Sequence, residues 1–434
     1  MAVAPVSVVD RIAGLALRTR ARRGERLGFV ASLACTLLFV AGIIYLLAVG
    51  VGIWGINIPI AWAFAITDYV WWIAIGMGGT FISAALQLAR QPWRSALNRY
   101  AETMTVCAVS VSGLFPILHL GRPWFSYWLF VYPNKMALWP QWRSALYWDF
   151  VAILAYLIVS ILYWYVALLP DLAAVRDRAR TRGRQVFYGL LALGWTGEAR
   201  QWQQHESLSR LLAGIALPLV FSVHSMVALD FSQALLPGWH STIFPPFFVA
   251  GAVYSGIAMV LVLGIGLRRV FGLGDIIGDV HLDRLAKLML ASGFVVAYCY
   301  AAELFSTFIG GDAHEVHVVA SRLEGPYAWT FWTTLVCNVA AIQPLWSPRV
   351  RRSPVALFAI ACTVLVGMWL ERFMLIATTL HDTFLPNERA MFYPTTWDFV
   401  FLFGSVGLFA LLIMLCFRLV PVVSIAELRT EAAR

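Results

Sequence analysis

The 434-residue sequence holds eight histidines and 23 acidic residues, and a few of them interrupt or border long apolar runs. His119, Asp149, Asp68 and Asp398 stand at the edges of such runs, while His224, Asp230, Glu303, Glu371 and Arg372 stand inside them and Glu102 lies near the start of another. An ionisable side chain in hydrocarbon is costly unless paired or hydrated, so each is a candidate functional group. A histidine and a carboxylate at one depth suit the oxidation of a quinol, because each can accept a hydroxyl proton as the ring loses electrons. His119 and Asp149 are predicted as that catalytic pair. The stretch joining them, HLGRPWFSYWLFVYPNKMALWPQWRSALYWD, supplies prolines and aromatic rings to roof a pocket for a flat, apolar head group. Asp68, Arg122, Trp124, Tyr132 and Trp148 are predicted to line it. His224, Asp230, Glu303, Glu371 and Arg372 are predicted as a proton path.

Each group has a plainer alternative. Asp68 and Asp398 also read as helix caps, and the adjacent Glu371 and Arg372 as a structural ion pair. His224 and Asp230 are six residues apart, about 600° around a helix, so they face different ways and need not share a site. His119 and His224 would be the axial pair of a haem, but two-haem quinol cytochromes place several histidines at matched depths, which this sequence does not. A transporter would show broken helices at mid-membrane. Gly76, Gly78 and Gly79 read instead as close helix packing.

The positioning elements follow from composition. The chain is 61% hydrophobic and 13% charged, with a mean hydropathy of +0.76; this excludes a soluble enzyme, a disordered chain and a secreted disulfide scaffold. Ten runs are long enough to cross a hydrocarbon core of roughly 30 Å. They cover 28–50, 68–90, 102–121, 147–169, 209–235, 244–267, 286–309, 326–346, 355–379 and 398–420. Clusters such as Tyr69, Trp71 and Trp72, or Trp139 and Trp142, are read as interfacial belts. Of the 32 Lys and Arg residues, 26 fall at or beyond the span ends on one side, five on the other (Arg122, Lys135, Arg143, Arg322 and Arg389, read as loop charges), and Arg372 well inside a span. The positive-inside rule therefore predicts a multi-pass protein with both termini in the cytoplasm, and it explains the net charge of +9 without nucleic acid. The basic N-terminus lacks a cleavage site after a short apolar stretch, so the first run is predicted to be a retained helix. Six single cysteines match no iron–sulfur, zinc or covalent haem pattern.

An internal repeat is visible. Tyr69 to Glu102 resembles Phe247 to Lys287: small residues mid-helix, an arginine exit, a short loop and an Arg-x-Ala start to the next helix. The second copy begins four helices after the first and crosses in the same direction. The predicted fold is an all-α polytopic membrane protein with ten transmembrane helices. Two parallel-repeat four-helix bundles, helices 2–5 and 6–9, are flanked by helices 1 and 10. The expected divisions are 1–27, a basic cytoplasmic segment; 28–67, helix 1 and an outer loop; 68–235, the bundle with the quinol site; 236–379, the second bundle; and 380–434, an outer loop, helix 10 and a cytoplasmic tail.

At HLGRPW (119–124), YPN (132–134), LWPQWRS (138–144) and the Trp148–Asp149 pair, the sequence resembles the NrfD-like, polysulfide-reductase-type membrane subunits. DYVWWIAIG (68–76), VHSMVALDF (223–231), PGWHSTIFPPFFVAGAVYSG (237–256) and AKLML (286–290) extend the resemblance over nearly all of 60–420, and are similar to the two paralogous ten-helix subunits of alternative complex III. The resemblance implies a subunit of the bacterial cytoplasmic (inner) membrane that binds menaquinol or ubiquinol, with no haem or iron–sulfur cluster of its own. Its implied partners are a peripheral iron–sulfur, molybdopterin-enzyme-like subunit, multihaem cytochrome c subunits and a paralogous ten-helix membrane subunit. It assigns quinol binding and deprotonation to His119 and Asp149. Two alternatives stay open: the paralogue that serves as scaffold or proton path, and the membrane anchor of another molybdopterin/iron–sulfur oxidoreductase.

Overall fold

A backbone in hydrocarbon must satisfy its own hydrogen bonds, and uninterrupted apolar runs do so as helices. The computed structural model describes residues 4–18, 23–129, 141–382 and 389–432. Among them, nine helices are long and apolar enough to span a membrane: α1 (Arg23–Val49), α2 (Phe64–Leu88), α3 (Asn98–His119), α4 (Ala145–Arg176), α5 (Ala199–Ser232), α6 (Phe244–Phe271), α7 (Asp279–Gly310), α9 (Pro354–His381) and α10 (Thr396–Leu419). The stretch expected at 326–346 is helical in pieces. It comprises α8 (Ala328–Leu335), a π-helical turn (Val336–Ala340) and a 3-10 turn (Gln343–Trp346). Pro344 removes a backbone donor there. The π turn carries Asn338, whose carbonyl accepts from Tyr254 (2.9 Å) and whose amide donates to the Tyr300 hydroxyl (2.8 Å). Short helices at Ala4–Ala16, Arg182–Leu191 and Ile425–Ala432 lie at the arginine-rich end, and one at Ala313–Glu324 lies at the other.

Helices α2, α3, α4 and α5 pack in sequence, α5 closing back on α2; α6 to α9 repeat the plan, with α7 meeting the π and 3-10 turns that continue α8, and α9 closing on α6. Helices α1 and α10 pair with each other, and α10 rests on α3. These are the two bundles and flanking pair expected from the repeat. The bundles meet where α2 crosses α6. A Cβ on Gly78 would lie 2.2 Å from the Gly256 Cα, and one on Gly256 equally close to Gly78. Tyr69 and Phe247, the starts of the two sequence copies, each lie nine residues before that glycine, so the crossing joins equivalent points of the repeat. The glycines read as packing residues are packing residues: Gly79 abuts the Ala101 carbonyl, and Gly76 abuts Val109.

The belt reading of Tyr69, Trp71 and Trp72 is overturned. All three are buried, Trp72 completely, because α2 sits at the centre of both bundles rather than at their rim. Trp71 donates to the Leu365 carbonyl (3.1 Å) and Trp72 to Ser405 (2.9 Å), stitching α2 to α9 and α10.

Forcing a methyl into a backbone–backbone contact costs about 1–3 kcal/mol or more. Gly78→Ala is therefore expected to lower the unfolding midpoint of the detergent-solubilised protein clearly. Gly214→Ala, where a Cβ meets nothing within 4 Å, is expected to leave it unchanged or slightly raised.

Candidate functional site

Asp149, Tyr156 and Tyr163 recur every seven residues on α4, which puts them on one face. That face meets Tyr69, Gly76, Thr80, Ser83 and Gln87 of α2, which runs in the same direction and repeats the seven-residue step at Tyr69, Gly76 and Ser83. At the end away from the arginines, the Tyr69 hydroxyl donates to Asp149, and Asp230 of α5 lies within hydrogen-bonding reach of the same carboxyl. One oxygen of each acid has no donor among the described residues. A phenol and two carboxyls thus converge in a buried spot with lone pairs to spare.

Two helical turns further, about 10 Å along the axis, the Tyr156 hydroxyl donates to Thr80 (2.8 Å). Thr80 pairs with Thr105 (3.2 Å), which donates to the Gly76 carbonyl (2.7 Å). After two more turns, Ser83 donates to the Tyr163 hydroxyl (3.3 Å), Tyr163 to Gln87 (2.6 Å) and Gln87 to Ser209 (2.8 Å). Gln87 and Ser209 open on a polar cavity of about 480 Å³ at the arginine-rich end, lined also by Arg94 and Glu427. Burial pushes the Glu427 carboxyl above the usual range, against the pull of Arg94 and Arg99. Glu102 is buried beside this end with Arg99, which also holds Asp171 at 2.7 Å.

The sequence-predicted pocket residues divide. His119 ends α3, stacks on Trp54 with 5.8 Å between ring centres, and has no partner for Nδ1 among the described residues. A cavity of about 560 Å³ begins directly after it with Leu120 and Arg122, and includes Leu146 and Tyr147 just before Asp149. Trp124 packs on Phe125 of that lining and Trp148 on Tyr147. Tyr132 and Trp139 lie outside the described residues. Asp68 stands apart from the cavity: it is fully buried and accepts from Trp369 of α9 (2.7 Å). Asp398 forms a capping box with Thr395 at the start of α10.

The five residues predicted as one proton path fall into three groups. Asp230 belongs with Asp149. Glu371 accepts from Tyr300 and lies 3.0 Å from Arg372, whose guanidinium sits 4.1 Å over the Phe248 ring, with His224 close by. Both His224 nitrogens and all three Arg372 nitrogens lack a well-aligned hydrogen bond among the described residues. Glu303 is held instead by Arg322 from the Ala313–Glu324 helix (2.8 Å), and Arg322 also donates to Thr379 (2.7 Å) and to the Gly238 carbonyl (3.1 Å).

A family model described as polysulphide reductase, NrfD, matches residues 52–382. The chain belongs to the NrfD family. It is 25% identical over 348 residues to a putative membrane subunit of dimethyl sulfoxide reductase from Halobacterium salinarum, covering 77% of this chain and 75% of that one. It is 21% identical over 380 residues to a selenate reductase subunit from Mesobacillus selenatarsenatis, covering 83% and 86%. The family expected from HLGRPW and its companion motifs is the family found.

In this NrfD-family chain, the residues that sequence reasoning missed are Tyr69, Tyr156 and Tyr163. Their signal was the seven-residue spacing from Asp149 on α4, matched by Tyr69, Gly76 and Ser83 on α2. Arg322 was counted only as a loop charge, yet it is buried against Glu303. Removing one partner of a buried ion pair typically costs about 3–5 kcal/mol. Arg322→Ala is expected to destabilise the protein on that scale, with Glu303→Gln in the same chain recovering part of the loss, as read from the detergent unfolding midpoint.

Proposed function

We propose that this chain is the quinol-binding membrane subunit of an oxidoreductase complex of the alternative complex III type. The observation that carries the reading is the Tyr69–Asp149–Asp230 cluster next in the chain to a cavity lined by Leu120, Arg122, Leu146 and Tyr147. Oxidation of a quinol releases two electrons and two protons, so a site for it needs acceptors for both protons in a place that excludes bulk water. Asp149, with Asp230 in reach, offers unoccupied carboxyl oxygens, and the Tyr69 hydroxyl fixes the orientation of the Asp149 carboxyl. His119, one residue before Leu120 of the cavity lining, offers a ring nitrogen with no partner among the described residues. Arg122, Phe125 and Trp128 supply the cationic and aromatic walls suited to a menaquinol or ubiquinol head group. Trp124 and Trp148 back this wall.

Electrons would leave to a peripheral iron–sulfur, molybdopterin-enzyme-like subunit and on to multihaem cytochrome c, with a paralogous ten-helix subunit alongside. The charge asymmetry supports both termini in the cytoplasm of a bacterial inner membrane and the quinol site toward the periplasm. The names of the two relatives support a second reading, in which the same site feeds a reductase and no cytochrome c is present. Copurification separates them: a multihaem c-type cytochrome favours the first, and a molybdopterin subunit without haem favours the second.

The site itself is tested by steady-state quinol oxidation in the purified complex, with its polypeptide composition checked on the same samples. General acid–base groups contribute typically about 10²–10⁴-fold. Asp149→Asn and His119→Ala are expected to lose at least two orders of magnitude with assembly intact, and Tyr69→Phe less. Near-normal turnover in Asp149→Asn would move the chemistry elsewhere and leave this chain as scaffold.

Proton coupling is proposed along the α2–α4 seam, whose three clusters step from Asp149 to the polar cavity with water bridging the turns between them. The Glu371–Arg372 pair, beside His224 of α5, and Glu303, held by Arg322, lie apart from that seam. In reconstituted vesicles, Tyr163→Phe with Gln87→Leu is expected to lower the proton-to-electron ratio while electron transfer persists. A drop in Glu371→Gln or Glu303→Gln instead would place the path in the second bundle. Unchanged ratios in all would remove pumping from the account.

A further inference from the structure

We infer that a groove between α1, α6 and α10 at the arginine-rich end holds one anionic phospholipid, with one of its two acyl chains entering between the helices and its phosphodiester at Arg18 and Arg418. The groove has a volume of about 330 Å³, within the roughly 300–1,000 Å³ of pockets that hold a small molecule. Its walls are apolar, built from the last turns of α6 and α10, and small residues hollow it out. A Cβ placed on Gly24 of α1 or Gly266 of α6 meets nothing within 4 Å, so the space is not filled by neighbouring side chains.

The mouth has the opposite character. Arg18, which follows the Ala4–Ala16 helix, lies 5.4 Å over the Phe271 ring and 3.3 Å from Glu25. Arg418 reaches over Phe29 at 5.7 Å and is exposed; among the described residues no carboxylate forms an ion pair with it. Two guanidiniums against one carboxylate leave a positive rim above an apolar slot. That complementarity fits an anionic amphiphile, and basic pockets between spanning helices on the cytoplasmic side bind such head groups. A quinone head group is neutral and would leave the second guanidinium without a counter-charge. The groove lies at the opposite end of the bundles from Asp149, so the inference does not rest on the quinol reading.

The test quantifies phospholipid copurifying with the intact complex after detergent washing, by mass spectrometry per mole of this chain. It is followed by rebinding of phosphatidylglycerol or phosphatidylcholine to the delipidated complex, read by native mass spectrometry. The wild type is expected to retain one anionic phospholipid and to rebind phosphatidylglycerol in preference. Gly266→Phe, which fills the slot without meeting a neighbour at its Cβ, is expected to retain at least tenfold less at unchanged polypeptide composition. The paired change Arg18→Gln with Arg418→Gln is expected to abolish the preference for phosphatidylglycerol, and it decides the matter if Gly266→Phe fails to assemble. Absence of retained anionic phospholipid, equal binding of the two lipids by the wild type, retention undiminished in an assembled Gly266→Phe complex, or a quinone retained in the lipid's place would each overturn the assignment.

Discussion

At Gly78 and Gly256 the backbones of α2 and α6 approach so closely that neither position has room for a side chain. In a bilayer there is no water to drive apolar helices together, and small residues that let backbones touch are the usual means of fixing a crossing. Everything else in the chain is arranged around that point. With one side committed to α6, α2 turns the face bearing Tyr69, Thr80, Ser83 and Gln87 toward α4. Trp71 and Trp72 tie it to α9 and α10. A central helix fixed on several sides can hold a phenol against a carboxyl reproducibly, which a loosely packed helix could not.

The two bundles share a plan and differ in what they bury. The first places Asp149 and Asp230 near one end and threads hydroxyls and an amide toward the other, where Arg99 holds Glu102 and Asp171. The second concentrates its charge mid-helix, where Glu371 and Arg372 pair beside Tyr300, and near its far end, where Arg322 closes over Glu303. Equivalent positions are therefore chemically unequal: Tyr69 faces Asp149, whereas its counterpart Phe247 offers a ring to Arg372 at 5.9 Å and no hydroxyl. An ion pair buried in apolar surroundings must match geometry closely to offset its desolvation. The π turn around Asn338, which donates to Tyr300, belongs to that fitting. The asymmetry is a physical reason for placing the proposed quinol site in the first bundle.

Spans, repeat and family were legible because each rests on a long-range regularity: twenty-residue hydrophobic runs, arginines alternating by loop, and motifs such as HLGRPW. Asp149 stood out as an acid bordering an apolar run. Tyr69 did not, because a tyrosine next to two tryptophans near a span boundary has the composition of an interfacial belt. Only the packing of α2 inside both bundles turns those rings inward. The partition of Asp230 from His224 was readable from their six-residue spacing, but the partner each meets was not, since it depends on how α5 is rotated between α4 and α6. Arg322 looked like one of five stray charges in loops. Its role emerges only when the Ala313–Glu324 helix folds back over α7. The break in the eighth span had its sign in Pro344, and the apolar run around it masked that sign.

In the proposed function a quinol meets the first bundle between His119 and Asp149. Photo-affinity labelling of the purified complex with an azido-quinone, with adducts mapped by peptide mass spectrometry, tests this without relying on turnover. Adducts confined to the region from His119 to Tyr147 and to the outer turns of α4 and α5, competed away by unlabelled quinol, are the expected result. Specific, competable adducts only on the second bundle or on a partner subunit would contradict it.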